Sequence, residues 1–311
     1  MKRAKVVVIG SLNMDVVVKA NRPPVMGETV MGEKVHFIPG GKGGNQAVAA
    51  ASLNSETWMI GAVGGDPFGQ TLVSSLKEKN VHIHGVKTVE DVATGIASIL
   101  LSQEDNSIIV VPGANSACSP ADVDKHRERI AEADVVLLQL EIPLPTIQHA
   151  VETAKSFGKM VILNPAPARE LPADLLRQVD YITPNESELE MLTGLSPQKE
   201  GLEQAMYQLL QTGVGHVVTT LGREGAAVLS PGKDLVHIPG HVVETVDTTG
   251  AGDAFNAGLA VALAERKNLI EAVSFAGKVA ALAVTRLGAQ SGMPSRKEVD
   301  EGVWKQRGSY R

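Results

Sequence analysis

Small residues, Gly250-Ala251-Gly252, stand between an apolar entry at Val246 and the helix-favouring run Ala254 to Ala264, with Asp253 at the junction. Glycines at 250 and 252 remove the Cβ atoms that hold a main chain away from a ligand. The unpaired N–H groups of a helix start, with the positive end of its dipole, suit an anion such as phosphate. Asp253 then lies beside the anion, where the dipole favours its ionised form and it can accept a proton from a hydroxyl. The chemistry implied is phosphoryl transfer, which needs alignment and charge neutralisation more than covalent help, so a carboxylate of ordinary low pKa suffices. The alternative is an aspartate that merely caps a helix in an ordinary Gly-rich turn. Two familiar phosphate motifs are excluded. Phe255 stands where a dinucleotide fingerprint needs its third glycine, and Lys42 is followed by Gly43 rather than the Ser or Thr of a P-loop.

Other stretches have residue types suited to a polar ligand. Gly10-Ser11-Leu12-Asn13-Met14-Asp15 follows the apolar run Lys5 to Ile9. Ligands of open α/β sheets collect at the carboxyl ends of strands, so Asn13 and Asp15 are candidate hydrogen-bonding groups, or simply turn residues closing a strand. Pro39 to Gln46 sets four glycines around Lys42 at a helix start, placing bare backbone and a flexible cation together; a flexible loop is the alternative. Glu141 ends another apolar run, and Gly222-Arg223-Glu224-Gly225 is a further turn open to phosphate. His82 and His84 lack a third ligand nearby, so a metal site there is not expected.

The elements that must position these residues follow from composition and patterning. The chain has 311 residues, 43% hydrophobic and 21% charged, as in a globular protein with a sizeable core. A net charge of -6 with no Lys/Arg cluster excludes a nucleic-acid surface. A single cysteine, Cys118, allows no intrachain disulfide and fits a reducing compartment. The apolar run after Met1-Lys2-Arg3 ends at Gly10 and is followed by Asn13 and Asp15, so it is a strand rather than a signal peptide. No run is long enough to cross a bilayer, and the expected location is the cytoplasm.

Short β-branched runs alternate with helical segments, predicting a doubly wound, mostly parallel α/β sheet flanked by helices. A single helix is expected from Ser119, as N-cap, to Ala133. Two β-rich insertions, residues 16–37 and 93–111, interrupt the alternation. The second reads as a hairpin, Ile96 to Leu101 and Ile108 to Val111, around a polar turn at Gln103 to Ser107. Paired, the insertions predict a small β lid on a body of residues 1–15, 38–92 and 112–311. Ile108-Ile109-Val110-Val111 is apolar at successive positions, so both faces want cover, which suggests lid on one side and a partner subunit on the other; a strand within the main core is the alternative.

Taken together, Gly40-Gly41-Lys42-Gly43-Gly44-Asn45-Gln46-Ala47 and Asp247-Thr248-Thr249-Gly250-Ala251-Gly252-Asp253-Ala254-Phe255 resemble the two signatures of the ribokinase family of carbohydrate kinases, also called the PfkB family. Asn185-x-x-Glu188 is similar to that family's motif near magnesium and phosphate. Asn164-Pro165-Ala166-Pro167-Ala168-Arg169, with Glu141, resembles the branch acting on ribose. The resemblance implies that Asn13, Asp15, Gly41, Lys42, Asn45 and Glu141 bind sugar hydroxyls and that Asp253 is the base. It implies that Asn185, Glu188, Thr220, Gly222, Gly225 and Gly252 meet ATP, and that Gly250, Ala251 and Gly252 form an anion hole. By the same resemblance Asp247, Thr249, Ala283, Arg286 and Gly288 hold potassium, Mg2+ accompanies ATP, and lids pair in a homodimer. Gly277 departs from the family pattern at a position facing adenine, and Gly292 where a serine would complete the cation shell. The expected activity is ATP-dependent phosphorylation of D-ribose at its 5-hydroxyl. The alternatives are a kinase for deoxyribose, fructose or adenosine, and a non-catalytic sugar sensor.

Overall fold

The computed structural model describes residues 3–102 and 106–302. Its strands are β1 (Lys5–Ile9), β2 (Asn13–Lys19), β3 (Lys34–Gly40), β4 (Glu56–Gly64), β5 (His82–Val89), β6 (Gly95–Leu101) and β7 (Asn106–Val111), then β8 (Val135–Leu138), β9 (Met160–Leu163), β10 (Tyr181–Ile182), β11 (His216–Thr220), β12 (Gly225–Leu229) and β13 (Val236–Pro239). Nine of them form one sheet in the order β13-β12-β11-β10-β9-β8-β1-β4-β5. Pairing is parallel from β11 across to β5, and antiparallel only where β12 and β13 close the far edge.

The central strands are apolar at successive positions because both faces are covered. Val6, Val8, Val135, Leu137 and Ile162 enter one core with helices Lys42–Ser52, Ala251–Ala264 and Leu269–Ala283. Val7, Ile9, Val136, Leu138, Val161 and Leu163 enter the other with helix Leu144–Ser156 and helix Leu202–Leu210. Alternate side chains of one strand thus feed opposite layers, the period-2 geometry of a strand buried on both sides. The helices that begin at Lys42 and Ala251 share one face of the sheet. Their starts can therefore meet at its carboxyl edge.

A separate four-stranded sheet has the order β3-β2-β6-β7. β2 pairs antiparallel with β3 and parallel with β6, and β6 pairs antiparallel with β7. Of the turn expected at Gln103 to Ser107, Gln103 to Asp105 lie outside the described residues. Two expectations need correction. The helix expected from Ser119 to Ala133 is two, Pro120–Lys125 and Arg127–Glu132, broken at His126, whose φ of -115° leaves the helical range. Asn13 and Asp15, expected at the carboxyl end of β1, instead lie on β2 of the small sheet. The chain needs only Gly10 to Leu12 to leave one sheet and enter the other. Among the described residues no helix is long and apolar enough to cross a membrane.

Candidate active site

Gly41 allows the approach on which the site depends. Its φ is +84°, and a Cβ there would lie 2.5 Å from the Asn13 nitrogen. The chain therefore turns directly over the start of β2, and helix Lys42–Ser52 begins against Ser11, whose carbonyl accepts from Gly44 N–H at 2.9 Å. Asn45 and Gln46 on its first turns then reach Asp253, at the third position of helix Ala251–Ala264. Asn45 Nδ2 donates to Asp253 Oδ2, and Gln46 Nε2 to Asp253 Oδ1, both at 2.9 Å. Two segments some two hundred positions apart are joined through one carboxylate.

Burial pushes the Asp253 carboxyl above its ordinary value. Lys42 and the two amide donors oppose that rise, and Glu141 adds to it. The expectation of an ordinary low pKa fails because the helix-start position, which favours ionisation, is also a nearly sealed one. Lys42 faces four carboxylates. Burial works against its charge, but Asp253, Glu141, Glu188 and Asp15 together hold its pKa above the usual lysine value. Asp15 is pushed up to about 7 by burial, then by Glu141 and Asp253, with Lys42 opposing.

Asn13 is buried, and its Oδ1 accepts from Asn115 Nδ2 at 2.7 Å. Asn115 is itself pinned, since its Oδ1 accepts from Leu12 N–H at 2.8 Å and its Nδ2 also donates to the Leu12 carbonyl. With its acceptor engaged, Asn13 keeps its NH2 as the end able to donate. Glu141, just past β8, accepts from the Ser11 hydroxyl and, at 3.4 Å, from Lys42 N–H. Asn45 Oδ1 is buried without a hydrogen-bond partner, the arrangement of an acceptor reserved for a ligand hydroxyl.

On the other side of the Ala251 helix start lies a pocket of about 610 Å³, within the range of small-molecule sites. Asn185, Thr220, Gly222, Gly225, Ala251 and Gly252 all line it, together with Gly277. A Cβ on Gly252 would meet nothing within 4 Å, so that bare backbone faces open space. Gly250, by contrast, has φ +80° and is packed against Ala289. Asn185 caps helix Glu186–Thr193 in a reciprocal capping box with Glu188, Asn185 Oδ1 accepting from Glu188 N–H and Glu188 Oε2 from Asn185 N–H. The Asn-x-x-Glu motif thus builds a helix start at the pocket wall. A Cβ on Gly277 would come no nearer than 4.0 Å to the His241 ring, another pocket-lining group, so that wall is open.

Asp247 holds the loop behind Gly250-Ala251-Gly252. Its Oδ1 accepts from Thr249 N–H at 2.9 Å and its Oδ2 from Gly288 N–H at 2.8 Å. A Cβ on Gly292 would lie 2.9 Å from the Ala283 carbonyl oxygen and 3.6 Å from that of Arg286, so both carbonyls converge beside a position where any side chain would crowd them. Carbonyls and one carboxylate are a donor set suited to a hard cation. Among the described residues no group of three or more His, Cys, Asp and Glu side chains is placed to hold a metal ion.

Sequence reasoning missed Asn115, Gln139, Asn164 as a side chain, Thr183 and Asn256. Gln139, Asn164 and Thr183 each follow the carboxyl end of one of the neighbouring strands β8, β9 and β10. Polar residues immediately after wholly apolar runs are the signal that marks them.

A family model described as pfkB family carbohydrate kinase matches residues 3–296. The ribokinase of Bacillus subtilis is 42% identical over 294 residues, covering 94% of this chain and 97% of that protein. The deoxyribokinase of Salmonella typhi is 37% identical over 299 residues, covering 95% and 97% respectively. Among solved structures, Arabidopsis thaliana ribokinase complexed with ribose and ATP superposes with a TM-score of 0.91 at 36% identity, covering 96% of this chain and 98% of that one.

Proposed function

The chain belongs to the pfkB family of carbohydrate kinases, and on that premise we propose that it transfers the γ-phosphoryl group of ATP to the 5-hydroxyl of D-ribose, giving ribose 5-phosphate and ADP. The observation that carries this is Asp253 at a bare helix start, with Asn13, Asp15, Lys42, Asn45 and Glu141 on one side and the pocket on the other. The relatives named ribokinase support ribose as the sugar.

Asn13 donates to a ring hydroxyl while Asp15 and Asn45 Oδ1 accept from others, so the sugar is fixed with its 5-hydroxyl against Asp253. As that oxygen bonds to the γ-phosphorus and the bond to the ADP oxygen breaks, the hydroxyl proton passes to Asp253. The N–H of Gly252 faces the charge on the transferring phosphoryl, while the Ala251 N–H is held by the Thr248 carbonyl at 3.2 Å and Gly250 sets the turn. Asn185, Thr220, Gly222 and Gly225 form the nucleotide wall.

Four carboxylates against one ammonium leave the site short of the positive charge a triphosphate needs, and this fits Mg2+ carried in with ATP, with Glu188 as a carboxylate beside it. Mg2+ when bound neutralises phosphate charge. The Ala283 and Arg286 carbonyls, with Asp247, Thr249 and Gly288, fit a potassium ion that would order the loop behind Gly250. The small sheet, which begins at Asn13 rather than at residue 16 and runs to Gly40 in β3, acts with β6 and β7 as a lid and as the contact of a homodimer, and the protein works in the cytoplasm, where ATP is available.

Coupled ADP release tests the assignment. Ribose is expected to outpace 2-deoxyribose by roughly tenfold or more in kcat/KM, the worth of one lost hydrogen bond. Faster phosphorylation of deoxyribose, fructose or adenosine contradicts ribose as the substrate.

A further inference from the structure

Gln46 is fully buried, and both N–H donors and the oxygen of its amide are engaged. Nε2 donates to Asp253 Oδ1 at 2.9 Å and to Asn164 Oδ1 at 3.2 Å, while Oε1 accepts from Gln139 Nε2 at 2.5 Å. The chain of bonds continues beyond Asn164. Asn164 Nδ2 donates to the Thr183 carbonyl, the Thr183 hydroxyl to Asn256 Oδ1 at 2.6 Å, and Asn256 Nδ2 to the Gly252 carbonyl at 2.8 Å. The network leaves Asp253 through Gln46, crosses the carboxyl ends of β8, β9 and β10, and returns to the residue beside Asp253.

An amide can face a carboxylate with either its NH2 or its carbonyl, and only the first is favourable. Asn164 and Gln139 decide between them here: Asn164, whose Nδ2 goes to the Thr183 carbonyl, keeps its Oδ1 for the Gln46 NH2, and the Gln139 N–H takes the Gln46 oxygen. Turning Gln46 over would break all three bonds and set a carbonyl oxygen against a buried carboxylate. Resting on the kinase reading of the site, we infer that Gln46, oriented by Gln139, is the positioning residue for Asp253: it fixes the carboxylate's direction and holds it in the charged form that can take the proton. Asn45 holds the other oxygen, but it also offers its unpartnered Oδ1 to the sugar, so only Gln46 is dedicated to the base.

Other charged groups also bear on Asp253: Lys42 from the helix it begins, Glu141 from the loop after β8, Asp15 from β2 and Glu188 from helix Glu186–Thr193. Substituting Gln46 or Gln139 leaves all four in place, so a change in the titration of Asp253 reports the amide donor.

The test is the pH dependence of kcat at saturating ribose and ATP, where the carboxylates that bind sugar are already engaged. In Gln46→Met the acid limb should move up by roughly one pH unit, the scale of one lost charge-assisted hydrogen bond. KM for ATP should stay within about twofold, since the nucleotide wall is untouched. Gln139→Met, which keeps Gln46 but frees it to turn over, should move the limb the same way by less, and it carries the test alone if Gln46→Met does not fold. A limb that stays at the wild-type pH, with kcat unchanged or lowered equally at every pH, overturns the role of Gln46. Asp253→Asn, assayed alongside, separates the two levels. If it keeps turnover and the acid limb, the base assignment itself falls; if it loses turnover while binding persists and the glutamine variants leave the limb unmoved, only the positioning role falls.

Discussion

Asp15 holds its proton to about pH 7, because burial and the neighbouring Glu141 and Asp253 disfavour its charge more than Lys42 favours it. The linkage has a definite sign. Between the ordinary value of 3.8 and about 7 the folded protein keeps a proton that the unfolded chain has released, so stability falls as pH rises through that window. Asp15→Asn, which cannot ionise, is therefore expected to raise the melting temperature at pH 8, by roughly 2 °C for each kcal/mol relieved, with no gain at pH 4. At pH 8, where Asp15 is ionised, the same change should raise the KM for ribose roughly tenfold or more, since a hydrogen bond to a charged acceptor is lost. Thermal unfolding at the two pH values, with ribose kinetics, checks both halves; a lower melting temperature at pH 8 contradicts them. Asn13 differs, being neutral and held by Asn115 so that it donates. Asn13→Ala should erode the preference for ribose over 2-deoxyribose while leaving ATP binding unchanged, measured as the ratio of the two kcat/KM values.

The proposed chemistry rests on helix starts, and the glycines of one of them separate space from strain. A methyl on Gly252 would touch nothing within 4 Å, whereas Gly250 sits at φ +80° with Ala289 against it. Gly252→Ala is expected to melt within about 2 °C of wild type, like other substitutions that disturb no packing, yet to lose roughly 10²-fold or more in kcat because the methyl occupies the anion's place. Gly250→Ala should lower the melting temperature outright. If Gly252→Ala turned over normally, bare backbone at that position would have no part in phosphate binding. These helix starts were legible in the sequence, as were the strands and the helix that Asn185 caps, because glycine, caps and apolar runs are local signals. The amides were not. Gln46 is visible only as part of a signature and Asn115 as an ordinary polar residue, and their partners Asp253 and Asn13 lie 207 and 102 positions away. Which partner each amide finds is set by the sheet order, and no spacing in the chain encodes that. The raised pKa of Asp253 was hidden for the same reason, since burial at a junction of distant segments cannot be read from the segment that carries the carboxylate.

At the scale of the whole molecule, the small sheet has an apolar surface to cover. On β7 Ile108, Ile109, Val110 and Val111 are all exposed, Ile109 by 68%, and Phe37 on β3 by 56%. A homodimer joined there should become monomeric when Ile109→Lys places a charge in the contact, as read by sedimentation; an unchanged sedimentation coefficient would remove β7 from the interface. Potassium should raise activity above that in sodium, since converging carbonyls suit the larger ion, and equal rates in potassium, sodium and a bulky organic cation would contradict that site. The proposed sugar side and the pocket both adjoin the helix start that carries Asp253, so the most direct measurement is on Asp253→Asn. Calorimetry should find ribose and ATP still bound, while steady-state ADP release falls by roughly two to four powers of ten, the scale of losing a positioned base. Near-normal turnover in a well-folded Asp253→Asn protein would contradict the account.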